Sequence, residues 1–456
     1  LVVFTLIVTK NYLYLCLVVY GAVTDTLQLV VEDFQFNELF SNQYVDKIDC
    51  LSIPAEEITD LQNGGFKLCN QDCICDNEEK AFFPLQNGLS NTASVFAIDG
   101  NKDNILIGGY LMYVNNENDS DNILTAYNQN TYVDIADVDI KNLEIRCIAV
   151  KGDTTYIAGK FNVDGNPDIL NIGMIINGKL HSLKNGIPGD SRIHDLEIVD
   201  NELYVGGFFR DHENDPNKSF IMKWDGTDWI ALGGGLNGTV YTMKMSPDGL
   251  YVGGAFTKIN SNTNPISENI IALWNGTNWE ALQNSNNSGP NGFIPRDFEY
   301  RDDMLYMAGG GTWFNGNPFT RHALVTYKDG TYTQIGPQIV DKIYDIAWHN
   351  DILTIGGDFD DAGGVEDADN FAQLVDGNWQ GTGLFDEDVY ALYSTGINLY
   401  VGGNFSDLNG IDEIDGIARL GCANAISTNL NEEYTYQEKV KVYPNPTLGI
   451  VHFNNA

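Results

Sequence analysis

The sequence predicts an all-β fold, a seven-bladed β-propeller of four-stranded antiparallel blades closed by an N-terminal outer strand. Three observations predict it. First, an apolar run ending in a pair of small residues recurs seven times, as ILIGGY, YIAGKF, YVGGFF, YVGGAF, YMAGGG, TIGGDF and YVGGNF. The second member of each pair is Gly109, Gly159, Gly207, Gly254, Gly309, Gly357 and Gly403, at intervals of 50, 48, 47, 55, 48 and 46 residues. Blade-forming repeats have periods of about 40–50 residues. Second, Asn177-Gly178, Asp225-Gly226, Asn275-Gly276, Asp329-Gly330 and Asp376-Gly377 fall at one place in five repeats. Such pairs supply the positive φ of a tight hairpin turn. Third, the 456 residues include 47 Gly, 23 Tyr and 22 Phe, a composition of short strands and turns.

Each repeat reads as four strands. The first is an alternating run such as TVYTMKM (239–245) or KIYDIAW (342–348). The second carries the glycine pair, as in LYVGGAF (250–256). The third resembles NIIALWN (269–275), and the outer one NWEAL (278–282). The seventh repeat has first, second and third strands at 388–394, 397–403 and 416–421, and then no recognisable outer strand. FFPLQNGL (82–89) aligns without a gap with WIALGGGL (229–236), three periods away. Residues 82–86 are therefore expected to complete the last blade, which removes an open sheet edge and locks the ring. The domain spans 80–422.

The run Trp224-Asp225-Gly226-Thr227-Asp228-Trp229 follows a glycine-pair strand and a hydrophobic strand. This order resembles kelch-type propellers, without their usual Tyr spacing, so the repeat is kelch-like. It is also similar to exported propeller proteins of Bacteroidetes, which carry VGGxF and WxGxxW repeats before a sorting domain.

The chain ends agree with export. Residues 1–24 read as a signal peptide or upstream extension: Lys10 precedes the apolar run 12–20, and Gly21-Ala22 follows it. A membrane anchor over 1–23 is the competing reading, but Lys10 would then sit inside it at a cost of about 2.5–3.5 kcal/mol. After a linker at 423–438, residues 439–456 contain Tyr443-Pro444-Asn445-Pro446 and Gly449. They resemble the opening of the C-terminal sorting domain of the type IX secretion system, here truncated. That resemblance implies the type IX machinery as a partner, a secreted or outer-cell-surface location and no membrane insertion after processing.

Segment 25–79 holds four cysteines and has no assigned role. An even number of cysteines outside the signal suits disulfides, and Cys69, Cys73 and Cys75 lack zinc-ribbon spacing. If 82–86 closes the ring, Cys73 or Cys75 approaches Cys422, and a Cys75–Cys422 disulfide is expected to staple the closure.

With 25 Lys+Arg against 63 Asp+Glu, the net charge is −38. That balance argues against nucleic acid and against anionic lipid. The glycine pairs read as structural, since glycine in a strand admits a close backbone. The phenylalanines two residues on (Phe161, Phe209, Phe256, Phe359, Phe405) read as blade packing. Departures from the repeat are better functional candidates. One column of the innermost strand reads Ala97, Cys147, Asp195, Thr242, Asp297, Asp345, Ala391. Three readings compete for Asp195, Asp297 and Asp345: acid and base in glycoside cleavage, calcium ligation, or acceptors that fix a neighbouring blade. The loops of one face are acidic, and Asp358, Asp360, Asp361, Asp367 and Asp369 form the densest group. Calcium there competes with a plain solvated acidic surface. No HExxH, GxSxG or sialidase Asp-box occurs. The expectation is a non-catalytic binding or adhesion module for extracellular glycan or a surface protein. The alternative is a secreted polysaccharide-active enzyme using the channel aspartates.

Overall fold

The computed structural model describes residues 80–85, 89, 92–101, 104–111, 123–128, 131–133, 140–260, 271–282, 293–310, 322–408 and 414–422. It also describes short strands at 2–8, 13–19, 27–29, 51–53, 442–444 and 451–453. The chain divides into two compact units, Ile74–Ala425 and a second made of Leu1–Cys73 with Ile426–Ala456.

The larger unit is a β-propeller. Its first blade comprises Ser94–Asn101, Asn104–Tyr110, Leu124–Asn128 and Thr131–Val133. The innermost strands of the next six blades are Ile140–Lys151, Arg192–Val199, Val240–Ser246, Ile294–Arg301, Lys342–His349 and Val389–Ser394. Within every blade the strands pair antiparallel in meander order. The fifth and sixth sheets are joined by one bridge, Gly310 to Lys342. Each innermost strand contacts that of the next blade, and the seventh contacts the first, so the ring closes.

Closure uses the expected strand. Lys80–Pro84 pairs with Ile417–Cys422, Phe82 opposite Leu420 and Lys80 opposite Cys422. Its equivalence to the outer strand of the third blade extends to hydrogen bonding. Trp279 Nε1 donates to Leu232 O at 2.7 Å, and the Tyr132 hydroxyl donates to Leu85 O at 3.1 Å. Tyr332 and Trp379 repeat the contact on Leu282 O and Pro337 O. An outer-strand aromatic thus ties its blade to the preceding one, across the closure as elsewhere. Cys75 lies outside the described residues; Cys147 is a buried free thiol.

The two residues of each small pair do different work. An ideal Cβ on the first would strike the next blade: on Gly206, 2.5 Å from Val240 Cγ1; on Gly402, 2.4 Å from Val95 Cγ1. Where this residue is alanine, as at Ala158 and Ala308, it is fully buried. On the second residue, a Cβ would lie 2.0–2.4 Å from a carbonyl oxygen in or immediately before the innermost strand in all seven blades, for example Gly109 against Ser94 O. The hydrophobic core fills the spaces between blades, with Phe161, Phe209, Phe256, Phe359 and Phe405 all buried.

Three of the five Asn-Gly or Asp-Gly pairs, Asn177-Gly178, Asp329-Gly330 and Asp376-Gly377, have both residues at positive φ. Asp225-Gly226 and Asn275-Gly276 differ. They open four-residue loops between paired tryptophans, Trp224 with Trp229 and Trp274 with Trp279. There Asp225 Oδ1 accepts the N–H groups of Thr227 and Asp228, and Asn275 Oδ1 those of Thr277 and Asn278. The short polar side chain replaces a backbone turn.

In the smaller unit, Val2–Val8 pairs with Leu13–Val19 and Leu27–Leu29 with Leu51–Ile53. Val442–Pro444 pairs with Val451–Phe453, which puts Tyr443 opposite His452. Asn445, Pro446 and Gly449 lie outside the described residues. Among the described residues no helix is long and apolar enough to cross a membrane.

Candidate functional site: a collar of bulge residues over the channel

The close approach at the second glycine has a cause. In every blade the pairing of first and second strands slips by one residue at the same place: between Val95 and Ala97, Ile145 and Cys147, Ile193 and Asp195, Val240 and Thr242, Pro295 and Asp297, Ile343 and Asp345, and Val389 and Ala391. Each slip is a β-bulge, which bends the strand and re-aims a side chain. The bulged residues are Phe96, Arg146, His194, Tyr241, Arg296, Tyr344 and Tyr390. All seven are large and half-buried.

They meet one another around the ring. Tyr344 and Tyr390 have ring centroids 5.2 Å apart, and Tyr390 and Phe96 5.3 Å. The Arg146 guanidinium lies 4.9 Å over the Phe96 ring. On the other arc, His194 meets Tyr241 edge-on at 5.1 Å, and Arg296 lies 4.5 Å over Tyr241. Cation–aromatic contacts of this kind stabilise by about 0.5–2 kcal/mol each.

The arc from the second to the fifth blade opens into a cleft of about 490 Å³, lined by Arg146, Lys160, Asp190, Arg192, His194, Phe208, Thr239, Tyr241 and Arg296. Glu144 holds Arg146 through two contacts, 2.7 and 3.1 Å, and lies 3.0 Å from Arg192 Nε. Lys160 pairs with Asp190 at 2.5 Å. Among the described residues Arg296 has no carboxylate partner. Burial, with Arg146, Arg192 and Arg296 adding to it, holds His194 down at about 3, so its imidazole is neutral at ordinary pH.

The aspartate column lies one residue further along the innermost strands, and its side chains reach the neighbouring blade. Asp195 Oδ2 accepts the Met243 N–H at 2.5 Å and Oδ1 accepts Leu196 N–H at 2.7 Å. Asp297 Oδ2 accepts Ile346 N–H at 3.0 Å, and Asp345 Oδ2 accepts Leu392 N–H at 2.6 Å. Asp99, two residues on in the first blade, binds Val150 N–H in the same manner. Burial pushes Asp195 up to about 8 and Asp297 up to about 6. Asp345 is driven well above the usual carboxylate range by burial, the Asp297 charge and a hydrogen bond to Asp297. A hydrogen bond joins the two carboxyls, so the pair holds a shared proton.

Asp195 and this pair together set a pH dependence. An acid whose pKa is higher folded than unfolded stabilises the fold fully below its unfolded value of 3.8, and that contribution falls as pH rises towards the folded value. His194 has the opposite sign, and its contribution is complete above 6.5. Between pH 6.5 and 8.5 the melting temperature is expected to fall. Asp345→Asn keeps an acceptor for Leu392 and a donor for Asp297, so it should flatten that fall, whereas Asp345→Ala should lower stability throughout. Thermal melts across this range check it, and an unchanged slope in Asp345→Asn would refute the shared proton.

The calcium expectation names five aspartates of the acidic loop. The structure does not gather Asp358, Asp360, Asp361, Asp367 and Asp369 around one point. Asp358 turns to Lys342 Nζ at 2.5 Å, and Asp369 Oδ1 accepts the Asp361 N–H at 2.7 Å. Among the described residues no three His, Cys, Asp or Glu side chains are placed to hold a metal ion.

No family model matches the chain, and no curated protein matches it. Among solved structures it is similar to the computationally designed Ika8 protein at 12% identity and TM-score 0.42, covering 73% of this chain and 96% of that one. It is similar to a catalytically inactive variant of virginiamycin B lyase from Staphylococcus aureus with quinupristin at 12% and 0.42, covering 75% and 99%. The WD40 β-propeller domain of Doa1 gives 10% and 0.43, covering 75% and 96%.

Proposed function

We propose that the protein is an exported, non-catalytic binding module that takes an extracellular glycan at the collar. The observation that carries this reading is the bulge repeated in all seven blades, each with a large half-buried side chain, of which Arg146, His194, Tyr241 and Arg296 line the cleft. Exposed aromatic edges and faces suit sugar rings, which offer apolar C–H faces and hydroxyl edges. A recessed mouth with a cleft of this size fits a small ligand better than a broad protein surface. The carboxylates beneath it are engaged by backbone N–H groups of the adjoining blades, which supports a structural role for them. The sorting-domain resemblance at Tyr443-Pro444 and the apolar N-terminus support export, and the glycine-pair and tryptophan order supports a kelch-like ancestry.

Screening the purified protein on a glycan array, with assay of any hits for cleavage, tests the reading. Tyr241→Ala and Tyr390→Ala should each weaken glycan binding about tenfold, the equivalent of about 1.4 kcal/mol, in variants whose circular dichroism shows the wild-type fold. A folded protein that binds no glycan, or binds as well with both tyrosines removed, would sink the proposal. Shortened products would replace it with a polysaccharide-active enzyme using Asp195, Asp297 or Asp345.

A further inference from the structure

We infer that the cleft between the second and fifth blades selects an acidic sugar, and that its occupant is the carboxylate of a uronate residue. This rests on the collar being the glycan site. In a chain of net charge −38 with 25 Lys+Arg, Arg146, Arg192, Arg296 and Lys160 converge on one cleft. Bringing like charges together is unfavourable unless something negative joins them. The chain itself supplies part of it: Glu144 binds Arg146 and Arg192, and Asp190 binds Lys160. The cleft then still carries a net positive charge, with Arg296 on the wall formed with Tyr241 and lacking a carboxylate among the described residues.

The ligand's group follows from the chemistry of that wall. A guanidinium presents a planar fork that matches the two oxygens of a carboxylate, and Arg146 already binds Glu144 in this way. Tyr241 and the 40% exposed Phe208 offer apolar surface beside the fork, where a sugar ring carrying the carboxylate would lie. Neutral His194 adds a hydrogen-bond donor and an acceptor without adding charge. The occupant is expected to be a short or terminal stretch of sugar. A long polyanion would meet repulsion from the acidic face, screened only beyond about 8 Å at physiological salt.

The test uses the whole chain and a panel of short galacturonate, glucuronate and mannuronate oligomers, each beside its methyl ester, with neutral and sulfated oligomers of equal length. Wild type should bind at least one uronate oligomer and lose roughly tenfold to a hundredfold on its methyl ester. Arg296→Gln should lose a similar factor on the acid and much less on the ester, with a circular dichroism spectrum like that of wild type. Equal affinity for acid and ester, or an acid affinity unchanged by Arg296→Gln, would overturn the uronate assignment and leave the collar reading standing. Tighter binding of the sulfated oligomer would overturn it in favour of sulfate. Silence of the folded protein towards every oligomer would remove the collar reading as well.

Discussion

Gly254→Ala is expected to be among the most damaging single-atom changes in this protein. The new Cβ would sit 2.1 Å from Thr239 O and 2.9 Å from Val240 Cα. Both are backbone atoms at the entry to the innermost strand, beside its bulge, so neither can rotate away. Relief requires the bulge itself to move, and with it Tyr241. Overpacking of a tight site costs about 1–3 kcal/mol and occasionally more; a rigid backbone obstacle puts this case at or above the upper end. Gly178→Ala is the control. Gly178 has φ of +72° but open space around its Cβ direction, so only left-handed backbone strain of about 1–2 kcal/mol is added. Denaturant unfolding of the two variants should separate them clearly. Equal costs would show that the bulge is soft and that the recurring glycine has another cause.

The second large effect is expected at the closure. Phe82 is 6% exposed and meets Phe371 and Phe385 edge-on, with centroids 5.3 and 5.2 Å away. It is the side chain through which the N-terminal strand enters the core between the sixth and seventh blades. Phe82→Ala should cost about 3–5 kcal/mol. Phe83, on the opposite face of the same strand, only lies beneath Arg419 at 5.6 Å, and Phe83→Ala should cost under about 1 kcal/mol. Similar losses from the two would mean that the closing strand is held by its backbone alone.

Much of the fold was legible because it is repetitive. The glycine pair survives in the sequence since both positions are constrained by backbone or by a neighbouring blade, and the closing strand was visible because Phe82 occupies the position of Trp229. The aspartate column was also legible, and the reading in which each aspartate fixes a neighbouring blade describes Asp195, Asp297 and Asp345 as they stand. The collar was not. Its residues are Phe, Arg, His, Tyr, Arg, Tyr and Tyr, so a search for constant residues passes over them, and a bulge leaves no mark in an alternating pattern. A signal existed in size: the position before the aspartate column holds no small residue in any repeat. The acidic loop shows a related limit of sequence spacing. Sequence density places Asp358 to Asp369 close along the chain, whereas Asp358 turns to Lys342 and Asp369 to the Asp361 N–H.

The closing strand also meets its partner only at the end of the order in which the ring is made. Lys80–Pro84 is synthesised before any other part of the ring, yet its partner Ile417–Cys422 is nearly the last. Until that partner exists, the first strand has an unpaired edge and Phe82 has no pocket, while the intervening blades can already stack on one another. Contacts so distant in sequence form slowly. An incomplete chain therefore remains an open arc with a sticky segment at each end, able to pair with the wrong molecule as readily as with itself. A polypeptide of this design gains from being kept apart from its copies until the final blade has emerged, and its yield on refolding should fall as protein concentration rises.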